Sequence, residues 1–457
     1  MQRKTSDIII IGGGLTGLTL AYYLKKAGKD FMLIEQQDRT GGVINTISEQ
    51  GFTYETGPNT GVLSTPEIVE LFEDLEPECK LDIANSQSNK RYIWKKGSWH
   101  ALPSGLISAV KTPLFSFNDK IRILAEPFRK AGQNPDESIA DLVIRRLGKS
   151  YLDYAVDPFI SGIYAGDPAQ LITRFALPKL YLLEQNYGSF IRGSIQKKKL
   201  PKSELQKKTN GKVFSVSGGL TNLINALNAA IGDENILTGC NETQVKSLDN
   251  NQFLVSFINH AGENTEFQAS KVVTTVGGNS LAQLLSFVPV QTLKPLTEMK
   301  YAGVVQVAVG YKSWDGIKLD AFGALMPTKE KRNALGILFP SAIFEGRAPA
   351  NGALLSVFLG GVKNSGLIEK TDHEIKSLVQ KELHETMGVT ASPDLFKIFR
   401  YPFAIPQYDK STEERLNAIS QIQNSYPGLI LAGNIRDGIG MSDRVKQGKA
   451  ISDLLNT

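Results

Sequence analysis

Residues 8 to 17 read Ile8-Ile9-Ile10-Ile11-Gly12-Gly13-Gly14-Leu15-Thr16-Gly17, and this stretch decides the fold. Four consecutive isoleucines predict a central parallel strand, apolar on both faces. Gly12-x-Gly14-x-x-Gly17 follows at once, and Leu18, Leu20, Ala21 and Leu24 then recur at helical spacing. Gly28 is placed to end that helix. Phe31 to Ile34 predicts a second strand, which ends in Glu35, 18 residues after Gly17. Each part has a physical task. Gly12 allows the tight turn, Gly14 lets backbone N–H groups approach a pyrophosphate, and Gly17 packs helix on strand, with Gly13, Leu15 and Thr16 completing the loop. The helix N-terminus supplies the positive end of its dipole. Glu35 would accept hydrogen bonds from a ribose and repel a 2′-phosphate, which disfavours NADP. A lone glycine motif is weak, but strand, turn, helix and spaced acid together predict dinucleotide binding.

The rest of the chain bounds the alternatives. It has 457 residues, enough for about three domains. A composition of 41% hydrophobic and 21% charged residues excludes disorder, collagen and coiled coil as the whole answer. Lysine plus arginine minus aspartate plus glutamate is 51 − 46 = +5, too little basic excess to point to nucleic acid. Cys79 and Cys240 form no CxxC pair, and His100, His260, His373 and His384 show no ligand spacing, so neither a disulfide framework nor a metal site is expected. A reducing, cytoplasmic setting follows. Arg3 and Lys4 ahead of the run from Ile8 to Leu24 mimic a signal peptide, but the glycines inside it favour a buried strand and helix. The expected protein is soluble or lies on a membrane surface.

The segment Glu35-Gln36-Gln37-Asp38-Arg39-Thr40-Gly41-Gly42 resembles the E-x-x-x-R-x-G-G extension of flavin amine oxidase-type enzymes. Gly57-Pro58-Asn59-Thr60 resembles their loop near the flavin ring. At the far end, Leu429 to Ala432 predicts a buried strand, followed by Gly433-Asn434, Gly438-Ile439-Gly440-Met441 and a helix through Val445, Ile451 and Leu454. This resembles the C-terminal flavin segment of the same superfamily, whose helix N-terminus faces the ring. FAD is the expected cofactor, in a domain built from both chain ends.

Between the ends, residues 104–195 show helical apolar spacing, as in Leu106, Ile107, Val110; Ile121, Leu124, Phe128; and Ile139, Leu142, Val143, Leu147. Lys111, Lys120, Arg122, Arg129 and Lys130 lie among them. A helical subdomain with solvated basic residues is the plainer reading; a surface resting on anionic lipid is the sharper one. Lys197-Lys198-Lys199, Lys202, Lys207 and Lys208 predict a solvated mobile loop over 196–210. Gln244–Leu248 and Phe253–Phe257, separated by Asp249-Asn250-Asn251, predict a hairpin, and further strands are expected at 271–276, 304–309 and 354–359.

Asp157-Pro158-Phe159-Ile160-Ser161-Gly162-Ile163-Tyr164-Ala165-Gly166-Asp167-Pro168 resembles the PF-x-x-G-x-YAGDP signature of the porphyrinogen oxidases of haem biosynthesis. Phe214-Ser215-x-x-Gly218-Gly219, Phe322-Gly323-x-Leu325-x-Pro327, Leu335-Gly336-x-Leu338, Arg347-Ala348-Pro349 and Gly360-Gly361 are similar to further segments of that family. The resemblance covers nearly the whole chain. Of these motifs the twelve-residue signature is specific, and the glycine motifs alone are not.

The resemblance implies an α/β fold, α+β overall, in three parts. These are a discontinuous Rossmann-like FAD domain (1–88, 211–280, 425–457), a substrate domain on an antiparallel sheet (89–103, 281–424) and an inserted helical domain (104–195), with the basic loop beside it. It implies six-electron oxidation of protoporphyrinogen IX, with coproporphyrinogen III as the close alternative. Molecular oxygen would be the acceptor, hydrogen peroxide would be released, and a haem-pathway enzyme would receive the porphyrin. It places Arg91 as propionate anchor and Leu325, Leu338 and Phe344 against the ring. The FAD contacts fall on Gly12 to Gly17, Glu35, Gln36, Arg39, Gly41, Gly42, Gly57 to Thr60, Val245, Asn434, Ile439, Gly440 and Met441. No acid or base is assigned, because hydride transfer needs alignment more than proton transfer. There are departures. Asn434 stands where many flavoenzymes have aspartate, Ser442-Asp443-Arg444 replaces a segment that usually has a cysteine, and Val43 follows Gly42 where amine oxidases often have arginine. A flavin amine oxidase, a carotenoid desaturase and a non-catalytic flavin or porphyrin carrier are the rival readings.

Overall fold

The structure, a computed structural model, describes residues 4–201 and 203–456, with Leu106 described in its backbone only. Arg3 and Lys202 of the readings above lie outside the described residues, as does the Leu106 side chain. Strands Ile8–Ile11, Phe31–Ile34, Ile236–Leu237, Lys271–Thr274 and Leu429–Leu431 form one five-stranded parallel sheet. The strand Ile8–Ile11 lies at its centre and is buried throughout, which is why its sequence does not alternate. Ile8 and Ile10 pack on one side with Leu18 and Leu24 of helix Leu15–Lys26, while Ile9 and Ile11 join a second core on the other. Helix Met441–Asn456 lies against Leu15–Lys26; a Cβ on Gly448 would sit 2.8 Å from Thr16 O. The two chain ends thus share one sheet and one helix pair. Strands Asn241–Ser247 and Phe253–Ile258 pair antiparallel, with Val245 opposite Val255, as the hairpin signal predicts.

The core of this unit runs past its expected boundaries. Leu281, Leu284, Leu293 and Leu296, and then Ala418, Ile419 and Ile422, pack with Ile9, Ile11 and Val272. Helices Val290–Thr297 and Thr412–Ser425 therefore cover the second face of the parallel sheet, and the divisions at 280/281 and 424/425 cut through a continuous core. An amphipathic helix needs an apolar face to cover, and this sheet supplies one.

A second, seven-stranded sheet runs in the order Leu395–Pro406, Tyr301–Tyr311, Ala353–Gly360, Ala334–Leu338, Gly323–Leu325, Arg91–Lys95, Ser98–Ala101. Its pairs are antiparallel except Gly323–Leu325 with Arg91–Lys95. One face is covered by helix Asp372–Met387 through Ile375, Val379 and Leu383 on Val307, Ile337 and Val357. The other face looks toward the helical unit, whose helices run from Leu106 to Lys199. That unit is pinned by a buried cluster in which Arg146 meets Glu126 and Glu184, all at most 1% exposed. The basic segment 196–210 is not a loop throughout. Lys197–Lys199 close helix Phe190–Lys199, and Glu204–Lys208 is a further helix started by a Ser203–Gln206 capping box. Lysines in a last helical turn complement the dipole, so charge alone did not mark a coil.

Candidate active site

The glycine turn is a cradle with unfilled polar capacity. A Cβ on Gly17 would lie 2.0 Å from Gly12 O, so the helix can approach the turn only without a side chain there. Thr275, at the end of the neighbouring strand, donates to Gly12 O at 2.9 Å and supports the turn from below. Helix Leu15–Lys26 starts at Gly14 with no side-chain cap, and a Cβ on Gly14 meets nothing within 4 Å. Its first N–H groups therefore face open space, the arrangement an anion needs. Glu35, 9% exposed, accepts from Gly13 N at 2.6 Å and Gln37 N at 2.8 Å, while Gln36 is exposed. Gly41 N donates to Gly13 O at 2.7 Å, and the Gly42 side of the loop faces Gly14. The Arg39 guanidinium spends its donors on Thr40 O, Gly42 O and Ile44 O, holding that second loop in shape. Val245 is buried among Ile9, Ile11 and Ile34.

The loop after Glu55 joins this cradle to the second sheet. A Cβ on Gly57 would lie 2.0 Å from Val43 O, which sets Gly57-Pro58 directly on the second glycine loop. Gln306 Nε2 donates to Glu55 O at 2.8 Å, Ser356 Oγ to Asn59 Oδ1 at 2.7 Å, and the Tyr401 hydroxyl to Thr56 O. Beneath it lies a buried ion pair. Arg347 Nη1 reaches Glu55 Oε1 at 3.0 Å and Nη2 reaches Ser215 Oγ at 2.8 Å, and Thr46 and Leu220 N also donate to Glu55. Burial pushes the Glu55 carboxyl above its ordinary range, and these donors oppose the shift.

The strand register places the substrate candidates. Residues directly opposite on neighbouring strands, and those two apart on one strand, share a face. One row reads Arg91, Gly323, Leu338, Ser356, Ala308; the next reads Ile93, Leu325, Gly336, Phe358, Gln306. Arg91, Leu325 and Leu338 therefore lie on the face that carries the Glu55–Asn59 loop. Arg91 is exposed, with its guanidinium 5.6 Å from the Phe322 ring. Phe344 is outside the strands: it follows helix Pro340–Ile343, is 5% exposed, and lines with Leu338, Asn59 and Arg347 a void of about 10 Å³. Phe358, absent from the sequence reading, is the one residue of its eight-residue strand that is not buried. It packs against Ala165, Val304 and Leu335, where the sheet meets the helical unit.

The signature helix Asp157–Tyr164 closes this face. A Cβ on Gly162 would lie 2.6 Å from Leu325 Cδ2, so helix and sheet touch there. Phe159 and Ile163 remain 41% and 44% exposed. Phe159, Val156 and Phe175 line a cavity of about 1210 Å³ that extends to Tyr408, Gly438 and Asp443 of the C-terminal segment. There Gly438 N donates to the Tyr408 hydroxyl oxygen at 2.9 Å, Gly440 N to Asp443 Oδ2 at 3.0 Å, and Met441 begins the last helix. Ile439 packs against the helical unit's core. Asn434 Oδ1 and Thr16 Oγ1 are buried and have no partner. The uncapped N-terminus of helix Leu15–Lys26, facing glycine loops and orphaned polar atoms fit a diphosphate and a polyol chain. Among the described residues no group of three or more histidines, cysteines or acids could hold a metal ion. Cys79 and Cys240 are buried, and burial pushes their thiols up to about 11 and about 12, away from nucleophilic use.

Comparison with known proteins agrees with this geometry. Residues 15–453 match the family of flavin containing amine oxidoreductases. The mitochondrial protoporphyrinogen oxidase of Nicotiana tabacum is 30% identical over 99% of this chain and 95% of its own. The coproporphyrinogen III oxidase of Bacillus subtilis is 26% identical over 100% of this chain and 99% of its own. A crystal structure of a candidate protoporphyrinogen oxidase from Exiguobacterium superposes with a TM-score of 0.82 at 22% identity, covering 100% of this chain and 99% of that one. The chain belongs to the flavin-containing amine oxidoreductases and, among them, to the porphyrinogen oxidase family, which makes it an FAD-dependent oxidoreductase.

Proposed function

We propose that the protein oxidises protoporphyrinogen IX to protoporphyrin IX with molecular oxygen as acceptor. Six electrons and six protons leave the macrocycle in three two-electron steps, and three oxygen molecules become three of hydrogen peroxide. FAD, when bound, supplies the hydride acceptor and the route to oxygen. The chain's own residues bind and align. Leu325, Leu338 and Phe358 offer apolar surface to a greasy ring, and Arg91 at the edge of the same face offers a guanidinium to propionate. The Glu55–Asn59 loop, held by Gln306, Ser356 and Tyr401, is the floor on which ring and flavin would meet. The observation that carries the reading is the register that puts Arg91, Leu325, Leu338 and that loop on one face.

Coproporphyrinogen III is the second reading, favoured by the end-to-end match to the Bacillus enzyme. It carries four propionates, whereas the two rows hold one cation, Arg91. Aerobic turnover of both porphyrinogens by the purified holoenzyme, followed by porphyrin fluorescence, decides between them. Higher kcat/KM for protoporphyrinogen is expected; the reverse preference refutes that choice, and turnover of neither refutes the function. Oxidation of a simple amine alone would restore the amine oxidase reading.

The exposed apolar residues of the helical unit support a membrane-surface location. Ile107, Val110, Phe117, Leu124 and Phe128 are between 71% and 82% exposed, a display that interfacial anchors use. Lys120, Arg122 and Arg129 turn inward to cap carbonyls, so apolar insertion would dominate over charge. Among the described residues no helix is long and apolar enough to cross a membrane. Co-sedimentation with phosphatidylcholine and phosphatidylglycerol vesicles is expected to recover the protein with both, and recovery with neither refutes the contact.

A further inference from the structure

The signature contains two acids, Asp157 and Asp167, that neither flavin nor porphyrinogen chemistry requires. Both turn to one lysine just beyond the end of a strand of the seven-stranded sheet. Lys363 Nζ lies 2.7 Å from Asp157 Oδ1 and 3.5 Å from Asp167 Oδ1, and it donates to Thr328 Oγ1 at 3.1 Å. Thr328 N donates to Asp157 Oδ2 at 2.8 Å and its hydroxyl to Asp157 Oδ1 at 3.0 Å. Thr328 stands in the turn between the strands that carry Leu325 and Leu338. Lys363 follows Gly360-Gly361, at the end of the strand that carries Phe358. Val362 N donates to Ala165 O at 2.8 Å, so the backbone supports the same seam. A second tie lies one turn earlier: Lys329 Nζ reaches Asp153 Oδ2 at 2.9 Å, and the Tyr154 hydroxyl donates to Glu330 Oε1 at 2.9 Å. Asp153 and Tyr154 belong to a wide helical turn, Leu152–Val156, directly ahead of Pro158, which lacks an N–H to continue an ordinary ladder.

We infer that Lys363 is a positioning residue that clasps both ends of the signature segment to the substrate sheet and so fixes the strands carrying Leu325 and Leu338, the face on which the macrocycle would lie. The inference rests on the pocket proposed above. Asp157 is 9% exposed and Lys363 26%, so this pair is less screened than a surface bridge. It touches strands or turns bearing Leu325, Leu338 and Phe358 on one side, and the helix bearing Phe159, Gly162 and Ile163 on the other. Releasing it leaves those side chains in place but lets their spacing vary, which weakens ring binding before it affects hydride transfer.

Steady-state kinetics of the FAD-loaded protein with protoporphyrinogen test this. Lys363→Met is expected to raise KM about tenfold with kcat within about twofold, while flavin content and melting midpoint stay near wild type. Lys363→Arg is expected to restore KM to within about twofold of wild type. Asp157→Asn should resemble Lys363→Met, and the double variant should be no worse than either, since both remove one contact. Unchanged KM in Lys363→Met, or losses that multiply in the double variant, overturn the clasp. If Lys363→Met does not accumulate as folded protein, Asp167→Asn carries the comparison: a KM raised about threefold supports the clasp and an unchanged one overturns it. Wild-type protein inactive on both porphyrinogens would instead sink the functional reading, so the two failures are separable.

Discussion

Arg347→Met isolates the ion pair beneath the Glu55–Asn59 loop. Arg347 and Glu55 are 4% and 3% exposed, and their separation is 3.0 Å. Removing one partner of a buried pair typically costs about 3–5 kcal/mol, because the other charge is left without compensation. Unfolding entropy is about 2.1 cal/mol/K per residue, and for 457 residues a single cooperative melt loses about 1 °C per kcal/mol. The midpoint should therefore fall by about 3–5 °C at neutral pH.

The pH dependence has a definite sign. Burial raises the Glu55 carboxyl above its reference value of 4.5 in the folded state. A raised carboxyl favours folding when protonated, and that contribution fades as pH rises through the folded value. Without Arg347 the folded value rises further, so the deficit of the variant should grow as pH rises above the reference value and through the folded ones, and nearly vanish at the acid end. Scanning fluorimetry across that range, with flavin fluorescence as a second signal, reads both the midpoint and cofactor release. The double variant Glu55→Gln with Arg347→Met should recover most of the loss, since neither charge is then stranded. A deficit independent of pH, or one that widens toward acid, would refute the reasoning.

Gly14→Val should leave a folded protein without FAD, because the new side chain meets open space in the fold but fills the diphosphate cradle. Stoichiometric flavin absorbance in the purified variant would show the cradle to be misplaced. Arg91→Ala should raise KM more than it lowers kcat, by about 1.5 kcal/mol, the low end for a charge-assisted contact at an exposed site; unchanged kinetics would return Arg91 to the surface. Gly162→Val puts a Cβ 2.6 Å from Leu325 Cδ2. It should cost about 1–3 kcal/mol of stability by overpacking and lower kcat/KM, and wild-type values in both melting and turnover would exclude the contact.

The nucleotide half was legible because its signals are local. Ile8–Ile11 and Phe31–Ile34 are strands over those bounds, since burial on both faces leaves an unbroken apolar run. The hairpin around Asp249–Asn251 announced itself by alternation and a polar turn. What escaped was long-range. Helices Val290–Thr297 and Thr412–Ser425 are amphipathic by pattern, but no pattern says which sheet they cover. Segment 196–210 lacks apolar spacing, and its helices rest on caps, the macrodipole and a single apolar contact, Leu205 against the first core. Thr275 supports the glycine turn from a strand more than 260 residues away, a contact that no local window contains. Phe358 is placed by strand register, opposite Gly336, whereas Phe344 lies beyond the strand end, after helix Pro340–Ile343, where no register applies.

The same distinction explains why the twelve residues from Asp157 to Pro168 identify the family when the glycine motifs do not. A dinucleotide cradle makes demands that any nucleotide-binding chain can meet, so its glycines are shared widely. The signature meets demands that come from outside its own segment. Gly162 is fixed by the approach of Leu325, and Ala165 takes φ +46° where its carbonyl meets Val362 N. Asp157 answers Thr328 and Lys363, and Lys363 answers Asp167 in turn. Each of these partners lies on a strand of the seven-stranded sheet or in a turn directly after one. A stretch constrained from across the fold answers to more than the cofactor, and on the reading proposed for Leu325 and Leu338 its partners flank the face on which a porphyrinogen would lie.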